Sequence, residues 1–503
     1  MFNSIVKSTL AVAIASALSF NIAIADDKFA ELDQAVTKQK QSHVDKVVEF
    51  HSYINAYLDE YESWRDQYTK DLDAQRAKLI ASWGEGEVSG KTKTVDYSED
   101  GQVKTVVDYD TNTMSVSLLV DVNYNPRDMK QLAKKVPSSI DGQKFELEKL
   151  EFEEELNLYS PEKEKKETQF IITQTQQQMN ELDIQAERLI RSDTGVPDSY
   201  IYERAYKKNM ALIMQSKKRI DVQSKIYKEM RAKYGIPEEV IIAKESSPIE
   251  STPVNTVPIK VEKKKTGTLI SAPTQKDDPK VQPQKKTETA TAPVIAKKAP
   301  AVVSTPKVTT PKKVVKYNVK LPANSLKIRA TQYQPLAEKE SQTWKIDAAL
   351  VMAIMHSESA FRPDAKSHVP AFGLMQVVPS SAGHDVNKQV RNIDAPMKAA
   401  DLYKPEINVE TGTAYLHILH DRYLKSIKSN ESRLYCVIAA YNTGAGNVAR
   451  AFNTNKSTSV GRAAKVINLM SPDEVYDHLI KNLPYDETKN YLKKVNGRIA
   501  LYR

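Results

Sequence analysis

One cysteine in 503 residues, Cys436, leaves no partner for an intramolecular disulfide, so the fold must hold by packing. Its apolar neighbourhood, Leu434 to Ala440, predicts a core position. No H-E-x-x-H, dinucleotide fingerprint, phosphate loop or G-x-S-x-G elbow occurs, and Gly444-Ala445-Gly446 follows no predicted strand. His417 and His420 share a helical face but have no third ligand in pattern. Neither a metal nor a nucleotide cofactor is expected.

Beyond the first 25 residues, no run reaches the roughly 18 to 20 apolar residues that a membrane-spanning helix needs. The start itself is a secretory pattern: Lys7, an apolar run from Leu10 to Phe20, then Ala23-Ile24-Ala25 ahead of Asp26-Asp27. Cleavage at Asp26 and a periplasmic destination are expected. The alternative is a retained anchor, for which the run is short and interrupted by Ser16, Ser19 and Asn21. No cysteine lies near residue 25, so the thiol of a lipobox is missing and the exported chain is expected to be unlipidated, with outer-membrane or wall association left open.

Aromatic residues are nearly absent from residues 244–316, which are rich in Pro, Thr, Val and Lys and read as a disordered linker. That stretch holds 15 Lys, no Arg and 6 Asp plus Glu, a net of +9, equal to the formal charge of the whole chain. In an exported protein such a tract suits solvation and weak attraction to anionic wall polymers or membrane surfaces, not nucleic acid. Semi-extended, it would reach on the order of 200 Å and could tether one domain to another.

Four segments follow: a signal peptide at 1–25, a helix-rich α+β domain at 26–243, the linker at 244–316 and a second globular domain at 317–503. In the first globular domain, helical spacing runs from Phe29 to Trp83, then Val103 to Val120 alternates around the turn Asp110-Thr111-Asn112, predicting a small antiparallel sheet. Helical spacing resumes from Pro126 to Val136, Phe145 to Arg191 and Ser199 to Tyr234, where Gly235-Ile236-Pro237 stops it.

Chemistry concentrates in the second domain. Asp347 is a good N-cap for Ala348 to Met355, a run apolar on every side and so suited to a buried helix. It ends in His356-Ser357-Glu358-Ser359-Ala360-Phe361, leaving a carboxylate where the buried helix meets the surface. Desolvation favours the protonated acid, the form that can donate to a departing glycosidic oxygen. A glutamate ending a helix is commonplace, however, and only its neighbours make it a candidate. These are Gly373-Leu374-Met375-Gln376, then Asn408 with Gly412, Tyr415 and Leu416, and finally Ala440-Tyr441-Asn442-Thr443-Gly444.

Those four motifs, E-S-x-F, G-L-M-Q, N-x-x-x-G-x-x-Y-L and A-Y-N-x-G, resemble the lytic transglycosylase family with the soluble-lytic-transglycosylase (SLT) catalytic domain. Further similarity, at Gly373 to Val378, Thr411 to Leu416 and Tyr491 to Asn496, is to members in which an α+β module precedes that domain. The missing acylated cysteine and the long linker depart from them.

The resemblance implies a mainly α, lysozyme-like (goose-type) catalytic domain. It also implies cleavage of peptidoglycan glycan strands between N-acetylmuramic acid and N-acetylglucosamine with formation of a 1,6-anhydro ring. Glu358 would be acid and then base, with Ser359, Met375, Gln376, Tyr441, Asn442 and Tyr491 at the substrate. For Ser359 and Asn442, capping and packing remain open; for Met375, so does the core. Asp364 is assigned to a turn. A two-carboxylate glycosidase needs a second Asp or Glu at about 5 Å or about 6.5 to 9.5 Å, and the motifs offer none. Hydrolysis and a non-catalytic wall-binding role stay open as alternatives.

Overall fold

The computed structural model describes residues 62–124, 151–156, 158–191, 196–236 and 312–503, with the short pairing of Ser139–Ile140 and Gln143–Lys144 and a few helical positions between 34 and 59. The expected leader, the helix at Pro126 to Val136 and the linker up to residue 311 lie outside the described residues.

The first module opens with helix α1 (62–83), which delivers Trp83 to the core at 2% exposure. Strands β1 (Lys93–Tyr97), β2 (Val103–Asp108) and β3 (Thr113–Asp121) follow as the expected sheet. Its β2–β3 turn is made where Asp110-Thr111-Asn112 predicted it. The Asp108 carboxylate accepts from the backbone N–H groups of Asp110 and Thr111, and Asn112 takes a left-handed φ of 54°.

Strand β4 (Phe152–Glu155) lies inside the region read as helix from Phe145, so that expectation is corrected: helix α2 begins only at Pro161 and runs to Arg191. Helix α3 (Asp198–Tyr234) ends at Gly235 with φ 65°, the left-handed cap anticipated there. Strand β5 (Lys312–Lys320) then completes an antiparallel sheet of order β1-β2-β3-β5-β4. Acidic β4 pairs with basic β5, Glu153 opposite Lys316, and Glu154 bonds Lys313 at 3.0 Å. One sheet face packs Val103, Val116, Leu118, Val315 and Tyr317; the other meets Ile80 and Trp83 of α1 and Tyr227 of α3.

Strand β5 crosses the boundary expected at 316/317. Both described ends of the Lys- and Pro-rich stretch, Ile236 after α3 and Lys312 in β5, therefore belong to the first module. Only Leu321 to Asn324 separate β5 from the first helix of the second domain.

That domain is built from α4 (Ser325–Trp344), α5 (Ala348–Ser359), α6 (Ala382–Val390), α7 (Pro405–His417), α8 (Asn430–Thr443), α9 (Ala445–Phe452), α10 (Val460–Ile467), α11 (Pro472–Asn482) and α12 (Asp486–Ile499). With the sheet confined to the first module, the chain is mainly α, as expected. Helix α5 is its axis: Asp347 caps it by accepting from the Ala349 N–H at 2.9 Å, and every residue from Ala349 to Ser359 is buried. Burying its Leu350, Val351, Met352, Ile354 and Met355 side chains contributes about 1.5–3 kcal/mol each. Cys436 sits fully buried in α8, the core role predicted for it.

Candidate active site

Glu358 stands one residue before the end of α5, its side chain 7% exposed. The chain leaves the helix through Ala360 and Phe361, with φ values of 50° and 65°. Two consecutive non-glycine residues in the left-handed region cost energy and persist only because packing over-determines them. Phe361 is held in the core between His356 and Tyr502, whose hydroxyl bonds His356 Nδ1 at 2.9 Å. Burial pushes the His356 imidazole down to about 4, so it is neutral.

Ser359 has no exposed surface. Its hydroxyl lies 2.8 Å from the Leu374 carbonyl and 3.1 Å from that of Met355, and accepts from the Arg362 N–H. It staples the end of α5 to the G-L-M-Q loop, the capping alternative, and no atom of it is free for a sugar. Met375 is likewise fully buried, against Gly412 and Thr413 of α7, where a Cβ on Gly412 would come within 2.5 Å of the Met375 sulfur. The glycine of the third motif thus admits the methionine of the second.

Asn408, fully buried, fastens the same loop: its amide donates to the Phe372 and Leu402 carbonyls at 2.7 Å each, and its Oδ1 accepts from the Met375 N–H at 2.8 Å. Gly373 turns the loop with φ 74° while packed against Leu402 and Asn408, so only glycine fits. Gln376, at φ 48°, donates to the Ala365 and Gly373 carbonyls, and its Oε1 is buried without a hydrogen-bond partner.

Two buried tyrosines feel the charge of Glu358. Tyr441 of α8 donates to the Met375 carbonyl at 2.9 Å, and burial together with the Glu358 charge holds its phenol well above the ordinary value. Tyr491 of α12 is 5% exposed; burial, then Glu358, raises its phenol in the same way, and outside that contact its hydroxyl makes no hydrogen bond. Asn442 is turned elsewhere, its Oδ1 accepting from Thr488 at 2.7 Å and its carbonyl from Asn180 of α2 at 3.0 Å. Of the residues expected at the substrate, Tyr491 contacts Glu358 and Tyr441 lies within reach of its charge. Ser359, Met375 and Gln376 form the network beneath it, and Asn442 belongs to the contact with α2. Asp364 pairs with Arg362 at 3.0 Å and takes no part.

Two charged groups at the site have no counterpart in the motifs. Lys91, from the first module, places its ammonium 3.4 Å from Glu358 and 3.8 Å from Glu487 of α12. Burial opposes its charge, but Glu358 and Glu487 outweigh burial and hold the amine above its ordinary value. Legs of 3.4 and 3.8 Å bound the separation of the two carboxylates at about 7 Å, so a second carboxylate stands near Glu358 after all. No local pattern could have found either residue; Lys91 and Glu358 are 267 positions apart.

Helix α2 covers the A-Y-N-x-G turn. Asn180 bonds the Asn442 carbonyl, Thr443 and Asn447, Asp183 bonds Arg450, and Glu187 accepts from the Gly446 N–H at 2.8 Å. Burial pushes the carboxyls of Glu187 and Glu181 up to about 7.

Residues 335–461 match the Transglycosylase SLT domain family. Membrane-bound lytic murein transglycosylase C from Pectobacterium atrosepticum and that from Sodalis glossinidius are each 44% identical to the chain over 185 residues, which is 37% of this chain and 50% of the relative. The chain thus spans about half the length of the curated relatives it matches. The 70 kDa soluble lytic transglycosylase of Escherichia coli is 28% identical, covering 34% of this chain and 24% of its own, at a TM-score of 0.26, too low to bear on the fold. The four motifs all fall inside the stretch that matches the Transglycosylase SLT domain, whereas the module that supplies Lys91 and α2 lies outside it.

Proposed function

We propose that the chain is a peptidoglycan lytic transglycosylase, cleaving the β-1,4 bond between N-acetylmuramic acid and N-acetylglucosamine and leaving 1,6-anhydromuramic acid ends, in cell-wall remodelling or turnover. The observation that carries this reading is Glu358: a carboxylate at the end of a buried helix, within a segment that matches the SLT domain, with two buried phenols, Tyr441 and Tyr491, that feel its charge. The carboxyl donates its proton to the glycosidic oxygen as the C1–O bond breaks. The carboxylate so formed takes the proton of the muramoyl C6 hydroxyl, whose oxygen closes on C1, and the acid is restored without water. Holding that hydroxyl beside C1 replaces a bimolecular attack by an intramolecular one, a gain measured as effective molarity.

The Tyr491 hydroxyl and Gln376 Oε1 are the polar atoms at the site with capacity to spare, which suits them to the sugar. Met375 supports Tyr441 through its carbonyl, and Ser359 and Asn442 shape the loops that carry the others. The division that fits these contacts is a first module that includes β5 and a catalytic domain beginning after it. A periplasmic location rests on the leader pattern; among the described residues no helix is long and apolar enough to cross a membrane.

Glu487 favours one second reading, hydrolysis, since a second carboxylate within about 7 Å of the first is what a hydrolytic glycosidase needs. Its engagement by Lys91 and by Gln177, whose amide donates to it at 2.8 Å, argues for a structural role instead. Incubating purified sacculi with the protein separates the readings: a transglycosylase solubilises wall without new reducing ends, and a hydrolase creates one for each bond cut. Binding without solubilisation would leave the wall-binding role.

A further inference from the structure

The segment that carries Lys91 is anchored at both ends. Ser89 and Val95 exchange two hydrogen bonds, at 2.9 and 3.1 Å, and the Gly90 N–H donates to the Lys93 carbonyl at 2.8 Å. On the other side Arg362, four residues after Glu358, donates to the Gly90 carbonyl at 3.3 Å and stacks over Tyr109 of the β2–β3 turn. In that turn Asp110 binds Lys494 and Arg498 of α12 at 2.7 and 2.6 Å, and Arg498 bonds the Ser357 hydroxyl at 3.2 Å. Two loops of the first module are therefore clamped to the two helices, α5 and α12, that hold Glu358 and Glu487.

We propose that Lys91 is a positioning residue of the active site: an ammonium lent by the first module that bridges Glu358 to Glu487 and fixes the side chain and the charge balance of Glu358. This rests on the transglycosylase reading and extends it, since the catalytic domain would then be incomplete without a residue of the first module. The ammonium stabilises the carboxylate that Glu358 becomes once it has given up its proton, which is also the base of the second step.

The consequence is a pH profile set from the first module. The charged and titratable groups facing Glu358 are Lys91, Tyr441 of α8, and Tyr491 and Glu487 of α12, with Asp110, Lys494 and Arg498 behind them. Among these, Lys91 is the cation in direct contact with the carboxylate. Its removal takes a positive charge from beside the carboxylate, whereas removal of Glu487 leaves Lys91 to Glu358 alone, so the two changes act on the proton transfer in opposite senses.

Solubilisation of purified sacculi by the full chain, followed from pH 4 to 9, tests this with Lys91→Met, Lys91→Arg and Glu487→Gln. The high-pH limb of the turnover profile is expected to rise by about one pH unit in Lys91→Met. It should stay near the wild-type position in Lys91→Arg and fall in Glu487→Gln. A limb that does not move in Lys91→Met, while turnover drops evenly at all pH, makes Lys91 a purely structural contact and overturns the proposal. So does a limb that moves the same way in Lys91→Met and Glu487→Gln. Failure of the transglycosylase reading is distinct, because it would show in the wild type itself as the absence of anhydro-ended product.

Discussion

Asn408→Asp is a near-isosteric change with a large expected cost. The amide it removes donates to two buried carbonyls, Phe372 and Leu402, at 2.7 Å each. A carboxylate oxygen in its place would face both acceptors with no proton to give, while Oδ1 could still accept from the Met375 N–H. Each buried carbonyl left without its donor costs about 1–3 kcal/mol, so the pair costs about 4 kcal/mol. Burying a charge with no cation against it adds to that or forces the side chain to take up a proton. Asn408→Ala loses all three bonds but introduces no charge, and should cost about as much. For a domain of this size 1 kcal/mol corresponds to about 2–4 °C, so the thermal midpoint should fall by about 8–16 °C in either variant. Far-UV circular dichroism on heating reads this. An Asn408→Asp protein melting within about 2 °C of the wild type would refute the claim that Asn408 fastens the G-L-M-Q loop.

The contact of α2 with the catalytic domain gives two further expectations. A Cβ at Gly446 would overlap the Glu187 carboxylate, so Gly446→Ala should eject Glu187 and raise the hydrogen exchange of α2 amides about tenfold or more, with α5 unaffected; unchanged exchange in α2 would contradict it. Glu181, its carboxyl raised from the usual 4.5 to about 7 by burial, favours the folded state most when protonated. The stability it contributes is complete below about pH 4.5 and is lost as pH rises through 7, an effect of up to about 3 kcal/mol. Glu181→Gln should therefore flatten the fall in denaturation midpoint between pH 5 and 8, and identical profiles for the two proteins would remove the buried-acid assignment.

What was legible in the sequence was what is local. The cap at Asp347, the apolar run after it, the turn at Asp110 to Asn112 and the stop at Gly235 each depend on residues within one or two turns of one another. Strand β4 was read as helix because Phe152-Glu153-Glu154-Glu155 has no alternation and its partner, β5, lies some 160 positions on. Strand β5 was absorbed into the linker because Lys312-Lys313 continues its composition; only pairing with β3 and β4 marks it as sheet.

The motifs pointed to Glu358 and Tyr441, and the similarity at Tyr491 to Asn496 pointed to Tyr491, but spacing could not say that Ser359, Met375 and Asn408 hold the loop together. That distinction lies in hydrogen bonds between motifs 15 to 33 residues apart. Lys91 and Glu487 were hidden for a stronger reason, since neither sits in a motif: Lys91 reaches Glu358 only through the docking of the two modules, and Glu487 only through the packing of α12 within the catalytic domain.

The proposed role of Glu358 is to break glycan strands by intramolecular ring closure. Mass spectrometry of the fragments released from purified sacculi tests it most directly. The wild type should give 1,6-anhydromuramic acid ends, and Glu358→Gln should release at least a thousandfold less at unchanged thermal stability. Fragments ending in hydrated muramic acid, or anhydro ends still released by Glu358→Gln, would contradict it.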